Sequence, residues 1–217
     1  MDTYPRAEER FHMVEQQIRA RDITNPRVLK AMQEIPRHLF VPPHFSGSAY
    51  SDAPLPIGEG QTISQPYIVA LMTALLDPQP TDRILEIGCG SGYQAAILSV
   101  LVLEVTTVER LPAVADRARM NIKELGLENI NIIVGDGSKG YPQNAPYDGI
   151  LIAAATPEMP VHLISQLNDD GILVAPVGDQ EIQELITLKK NRQGTTRSSH
   201  GGVRFVPLIG RYGWSET

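Results

Sequence analysis

Three glycines, Gly88, Gly90 and Gly92, stand in G-x-G-x-G order in the run "LEIGCGSGYQAA", and Glu86 precedes them in the same apolar stretch. Glycine lets a backbone turn tightly and come close to a bound molecule. About twenty residues on, a second apolar stretch, "EVTTVE", ends in Glu109. A third, "NINIIVGDG", ends in Asp136 and Gly137. A carboxylate at the second strand end can accept hydrogen bonds from both hydroxyls of a ribose. Dinucleotide sites use G-x-G-x-x-G, whose third glycine permits close helix packing near the pyrophosphate. Here Tyr93 stands at that third position. A carboxylate at Glu86 would sit badly beside a pyrophosphate, but it suits a cation. S-adenosylmethionine carries a sulfonium and an α-ammonium. The cofactor-binding set expected for it is Glu86, Gly88, Gly90, Gly92, Glu109, Asp136 and Gly137. The competing reading, a tight glycine turn with no ligand, leaves the three carboxylates at successive strand ends without a reason.

A second stretch, "GEGQTISQPY" (Gly58 to Tyr67), has two glycines, two hydroxyls, two glutamines and no Lys or Arg. It lies directly before the apolar run "IVALMTALL". Thr62 and Ser64 offer neutral hydroxyls next to a helix start, whose free N–H groups carry a positive dipole end. Ser64 also lies two residues before Pro66, where a serine can cap a helix. Tyr67 reads as packing on a helix face. Cys89 is the only cysteine, so an internal disulfide and a Cys-based zinc cage are both excluded. With no base partner in view, it reads as a small loop residue. The five histidines show no H-E-x-x-H spacing, and no metal site is expected.

The elements that hold these residues follow from periodicity. Phe11, Val14 and Ile18 recur at helical spacing. "NPRVLKAMQEIP" has Asn25 as N-cap, Pro26 at the first helical position and Pro36 as its stop. Residues 42–60 read as loop or short edge strand, and "QPYIVALMTALL" as a helix. From Arg83, strands and helices alternate: "RILEIG", then helix "YQAAILSVLV", "EVTTVE", helix "LPAVADRARMNIKELG" capped by Gly126, "NINIIVGDG", "YDGILIAAA", helix "MPVHLISQLNDDG" and "ILVAPVG". "EIQELITLKKN" and "VRFVPL" read as late strands, with "NRQGTTRSSHGG" a polar mobile loop between them. This order implies an α/β fold with a doubly wound, mostly parallel, Rossmann-like sheet. An N-terminal helical extension and antiparallel edge strands complete it. The expected division is an extension over 1–80, carrying the hydroxyl stretch, and a cofactor-binding core over 81–217.

Composition narrows the function. The formal net charge of -6 argues against a general nucleic-acid binder, which needs a basic footprint. No apolar run approaches the ~20 residues of a membrane span, and the charged N-terminus lacks a signal-peptide core. A cytoplasmic protein without nucleic-acid or membrane partners, working as a monomer, is the expectation.

The stretches "LEIGCGSGYQAA", "GDG", "APYDGI", "AAATPEMP", "LISQLNDDGILVAPVG", "VRFVPL" and "GQTISQPY" together resemble the protein-L-isoaspartate O-methyltransferases, a family of class I S-adenosylmethionine-dependent enzymes. The glycine loop marks the class; the Thr-Ile-Ser-x-Pro block marks the family. The resemblance implies methyl transfer to the α-carboxylate of L-isoaspartyl residues in damaged proteins and peptides, which opens their repair through a succinimide. It implies that Ser64 is the active-site serine with Thr62 beside it, that Glu109 is the ribose carboxylate, and that Asp136 and Gly137 contact the cofactor. Tyr67 departs from the family, which often has His there. The alternatives are a class I methyltransferase for a small molecule and a catalytically silent cofactor-binding module.

Overall fold

The computed structural model describes residues 5–216. It opens with α1 (Ala7–Met13), which runs on through a π-type turn, Val14–Ile18, and a 3-10 turn, Arg19–Arg21. Met13, Val14 and Ile18 face the core; Phe11, expected on that face, is 58% exposed. The wider π turn shifts the helical phase, so a fixed spacing of residues misplaces one of them. Next comes α2 (Pro26–Glu34). Asn25 Oδ1 accepts from Arg27 N at 3.0 Å and Val28 N at 3.4 Å, so the cap is the one expected.

Strands β1 (Leu55–Gly58) and β2 (Gln61–Ile63) pair Leu55 with Ile63 in a two-stranded hairpin. Glu59 and Gly60, at φ 52° and 68°, make the left-handed two-residue turn that matches strand twist. Ser64 and Gln65 connect this hairpin to α3 (Pro66–Leu76), which has Pro66 at its start.

The core begins with β3 (Arg83–Ile87), α4 (Tyr93–Ser99), β4 (Glu104–Glu109) and α5 (Pro112–Glu124). After α5, Gly126 takes φ 65° and its N–H donates to Lys123 O. There follow β5 (Ile130–Val134), β6 (Tyr147–Ile152), α6 (Val161–Ile164), β7 (Leu167–Gly178), β8 (Gln183–Asn191) and β9 (Gly194–Val203). The sheet order is β5-β4-β3-β6-β7-β8-β9. Pairs from β5 to β7 are parallel; β8 and β9 are antiparallel. Alternate residues face opposite sides, as the strand period of two demands. Ile84, Leu151 and Val174 join a cluster with the N-terminal helices, α3 and α4. Leu85, Ile87, Ile150 and Ile152 join another with Leu163 of α6, Tyr147 and Leu208.

Three late expectations are corrected. The helix expected over "MPVHLISQLNDDG" is one turn, and its second half is strand. Gln166 ends it: its side chain binds Tyr141 N, Lys139 O and His162 O, and Tyr147 N donates to Gln166 O. The expected loop "NRQGTTRSSHGG" contains most of β9, an edge strand with no buried face. "VRFVPL" is mostly irregular after Val203, and only Pro207 bridges, to Ala155.

Candidate active site

The chain runs from β3 out to β4 and β5 on one side, then returns to β6 and β7 on the other. This reversal opens a crevice beyond the strand ends, where open α/β sheets bind ligands. The glycine loop forms its floor. Gly88, Gly90 and Gly92 take φ of 89°, 54° and 88°, a left-handed region that strains other residues. Gly88 and Gly90 line the cleft. Gly92 instead lies under α5, where a Cβ would stand 3.1 Å from Ile122 Cδ1. A side chain on Gly90 would meet Ile57 of the hairpin at 3.7 Å, so the hairpin packs directly over the loop.

Glu109 closes one wall. Its Oε2 accepts from Gly90 N and its Oε1 from Leu111 N, both at 3.0 Å. The carboxylate is thus fixed between the glycine loop and the turn after β4. Gly137 lines the same cleft. A Cβ there would come within 2.7 Å of Ile87 Cγ2, so the wall is close-fitting.

Besides Gly92, two further expected residues, Glu86 and Asp136, are not part of the cleft wall. Glu86 is fully buried in β3. Thr107 of β4 donates its hydroxyl to Glu86 Oε2, and Oε1 has no partner. Burial raises the Glu86 carboxyl to about 8, against the pull of the Thr107 hydroxyl. Asp136 is not among the residues lining the cleft. Its Oδ1 accepts from Ser138 N and Oγ, and its Oδ2 from Arg211 N. Cys89 lines the cleft as a buried thiol, and burial pushes its pKa well above the ordinary value. Such a thiol is a poor nucleophile.

Sequence reasoning missed part of the wall. Ala153 and Ala154 after β6 border the cleft beside Gly88, and Val206 to Ile209 near the end of the chain complete its wall. They offer mainly backbone and apolar surface, a contribution that no residue type advertises.

Thr62 and Ser64 lie where this cleft meets a second groove, together with Ala153 and Val206. The groove runs outward along Pro54, Gln65, Ile68, Ile182 and Phe205, with Glu181 and Arg204 in its lining. The capping role open to Ser64 is not used: Gln65 is the N-cap of α3 and no side chain caps it. Among the described residues the Ser64 and Thr62 hydroxyls have no protein partner. Tyr67 packs on the helix face as expected, with the Arg21 guanidinium 4.6 Å above its ring.

The model of the protein-L-isoaspartate(D-aspartate) O-methyltransferase family matches residues 8–213. The chain belongs to this family. It is 58% identical to the protein-L-isoaspartate O-methyltransferase of Methanoregula boonei, over 98% of both chains. It is 57% identical to that of Methanoculleus marisnigri, over 99% of this chain and 97% of the other. A solved protein-L-isoaspartate O-methyltransferase superposes with a TM-score of 0.84 at 29% identity, covering 95% of this chain and 67% of that one. A Plasmodium falciparum protein described as a beta-aspartate methyltransferase, in complex with S-adenosyl-L-homocysteine, superposes at 0.80. At 24% identity over 92% and 98% of the two chains, it shows the fold alone.

Proposed function

We propose that the protein transfers a methyl group from S-adenosylmethionine to the α-carboxylate of L-isoaspartyl residues in damaged proteins and peptides. The methyl ester then cyclises to a succinimide, which reopens partly to normal aspartate. The observation that carries this reading is the junction at Thr62 and Ser64, whose neutral hydroxyls are shared by the glycine-loop cleft and the groove beside it.

The cleft fits S-adenosylmethionine. Among the described residues its one cationic lining side chain, Arg110, is paired with Glu216. The field that remains comes from Glu109. That field favours a cation and disfavours a pyrophosphate. Tyr93 fills the position a dinucleotide site leaves to glycine. Its ring meets Phe40 edge-on at 5.3 Å and lies beneath Arg37 at 5.1 Å. Gly88 and Gly90 would carry the cofactor against bare backbone, with Gly137 at its side. Glu109 would hold the ribose hydroxyls. Gly92 would act from behind through loop shape, and Glu86, raised to about 8 by burial, as a neutral buried carboxyl bonded to Thr107. Bound there, S-adenosylmethionine supplies a methyl group on a cationic sulfur that leaves as a neutral thioether.

The acceptor carboxylate is ionised at neutral pH, so the chain needs no general base. Its task is to align the attacking oxygen and exclude water. Ser64 donates its hydroxyl to that carboxylate and Thr62 stands beside it. A Lys or Arg in the same place would hold the carboxylate too firmly and repel the sulfonium. A small-molecule acceptor would not need the groove that continues past Ser64 to Ile182 and Phe205. A cytoplasmic, monomeric enzyme completes the proposal, with the net charge of -6 and the lone buried Cys89 in its favour. No helix among the described residues is long and apolar enough to cross a membrane.

The nature of the acceptor can be tested by the bond formed. Protein methylated with labelled cofactor should release labelled methanol under mild alkali, as carboxyl esters do. Label that survives alkali would place the methyl on nitrogen or carbon and overturn the proposal.

A further inference from the structure

The structure assigns Asp136 a task of its own at the cleft: we propose that it is a positioning residue that latches residues 208–216 as a strap across the cofactor cleft. This rests on the reading of that cleft as the S-adenosylmethionine site. The strap begins where the chain leaves the sheet. Ala155 N donates to Val206 O and Leu208 N to Ala155 O, both at 2.8 Å. Leu208 and Ile209 then form part of the cleft wall. Beyond them the chain folds back on itself: Trp214 N donates to Leu208 O at 2.8 Å, and Gly210 N to Trp214 O at 3.1 Å.

The latch sits at this fold. Asp136 Oδ2 accepts from Arg211 N at 2.9 Å. Asp136 Oδ1 accepts from Ser138 Oγ at 2.6 Å and Ser138 N at 3.0 Å. Ser138 Oγ in turn accepts from Tyr212 N at 3.0 Å. The approach is so close that a Cβ on Gly210 would stand 2.0 Å from Asp136 Oδ1. Although burial opposes it, hydrogen bonding from Ser138 and Arg211 holds the Asp136 carboxyl below its ordinary range. Two further contacts flank the latch. The Tyr212 ring stacks on His162 at 3.5 Å, and Glu216 pairs with Arg110, itself a cleft residue. The strap therefore starts from the β6 side of the cleft at Ala155 and is fastened on the β4–β5 side, through Asp136 after β5 and Arg110 after β4.

These fastenings are surface contacts. Of residues 208–216 only Leu208 is buried, so the strap can lift while the sheet stays folded. Lifting it removes Ile209 and the Arg110 pairing from the cleft mouth. Asp136 thereby governs how long a cofactor stays.

Trp214, the one tryptophan, lies in the strap and reports on it directly. The test compares wild type, Asp136→Asn, Ser138→Ala and the double variant by two readouts. One is acrylamide quenching of Trp214 in ligand-free protein; the other is the dissociation rate of S-adenosylhomocysteine, the product form of the cofactor. Each single variant should increase quenching and speed dissociation by about tenfold, the scale of one charge-assisted hydrogen bond. The double variant should add little to either single, because both break one latch. Faster dissociation from Asp136→Asn with unchanged quenching, and normal dissociation from Ser138→Ala, would overturn the proposal and return Asp136 to direct contact. Absence of S-adenosylhomocysteine binding by the wild type would instead overturn the cofactor reading. Trp214 quenching would then still decide whether Asp136 latches the segment.

Discussion

At the scale of single residues, Ser64 and Glu86 separate positioning from charge. Ser64 caps no helix, so its removal should not carry the ~1 kcal/mol stability cost of a lost cap. Ser64→Ala is expected to lower methyl transfer by about tenfold or more through misalignment of the carboxylate. Cofactor affinity, thermal stability and the shape of the pH–rate profile should stay those of the wild type. Turnover, calorimetry and a thermal melt on one preparation check this, and unchanged turnover would move the orienting role to Thr62. Glu86 gives a prediction in pH. Burial raises its folded carboxyl from 4.5 to about 8. A raised folded value means the folded state binds the proton more tightly. The stabilisation is therefore complete below about 4.5 and is lost as pH rises through about 8. Ligand-free wild type should lose stability relative to Glu86→Gln across that window, by an amount on the order of a few kcal/mol. Denaturant melts of both proteins at pH values spanning it give the answer; parallel curves would mean Glu86 is ionised throughout. The sequence showed that a carboxylate stood here, but not that Thr107 and the closed sheet would take it out of the cleft.

At the scale of elements, the hairpin and α3 turn the hydroxyls toward the chemistry. The Glu59–Gly60 turn sets the register of β2, and Pro66 fixes where α3 starts, so the two residues between them have little freedom. Seating α3 depends on Gly149 of β6. A Cβ there would stand 2.8 Å from Ile84 Cδ1 and 2.9 Å from Leu76 Cδ1, both in the packed core. Gly149→Ala should cost about 1–3 kcal/mol by overpacking. The cost should shrink when Leu76→Ala is added, because the neighbours share one space. Urea denaturation of the two singles and the double would reveal the coupling; strict additivity would show that α3 does not press on β6. Elements with local punctuation were legible from sequence: the Asn25–Pro26 start, the Pro66 start and the Gly126 stop. β9 was not, because "GTTRSSHGGV" has no apolar alternation and is held by its ladder to β8 and by the Thr187–His200 and Ser199–Glu184 side-chain bonds. The end of α6 was not, because Gln166 is drawn away by partners distant in the chain.

At the scale of the whole molecule, one hydrophobic cluster runs from Met13 and Val28 through Tyr93 to Leu185. The first eighty residues and the sheet therefore share a core, and groups from both ends of the chain meet at Ser64. The alternation of strands and helices made the fold class and the glycine side of the cleft readable. Strand order and the return of Val206 to Ile209 as part of the cleft wall depend on contacts across the whole chain, which no local pattern encodes. The central claim concerns the acceptor. The most direct measurement is methyl transfer to two peptides of identical sequence, one with L-isoaspartate and one with L-aspartate at a single position. Methylation of the isoaspartyl peptide, with at most trace transfer to its partner, is the result expected. Equal methylation of both, or transfer to neither by protein that binds S-adenosylmethionine, would contradict it.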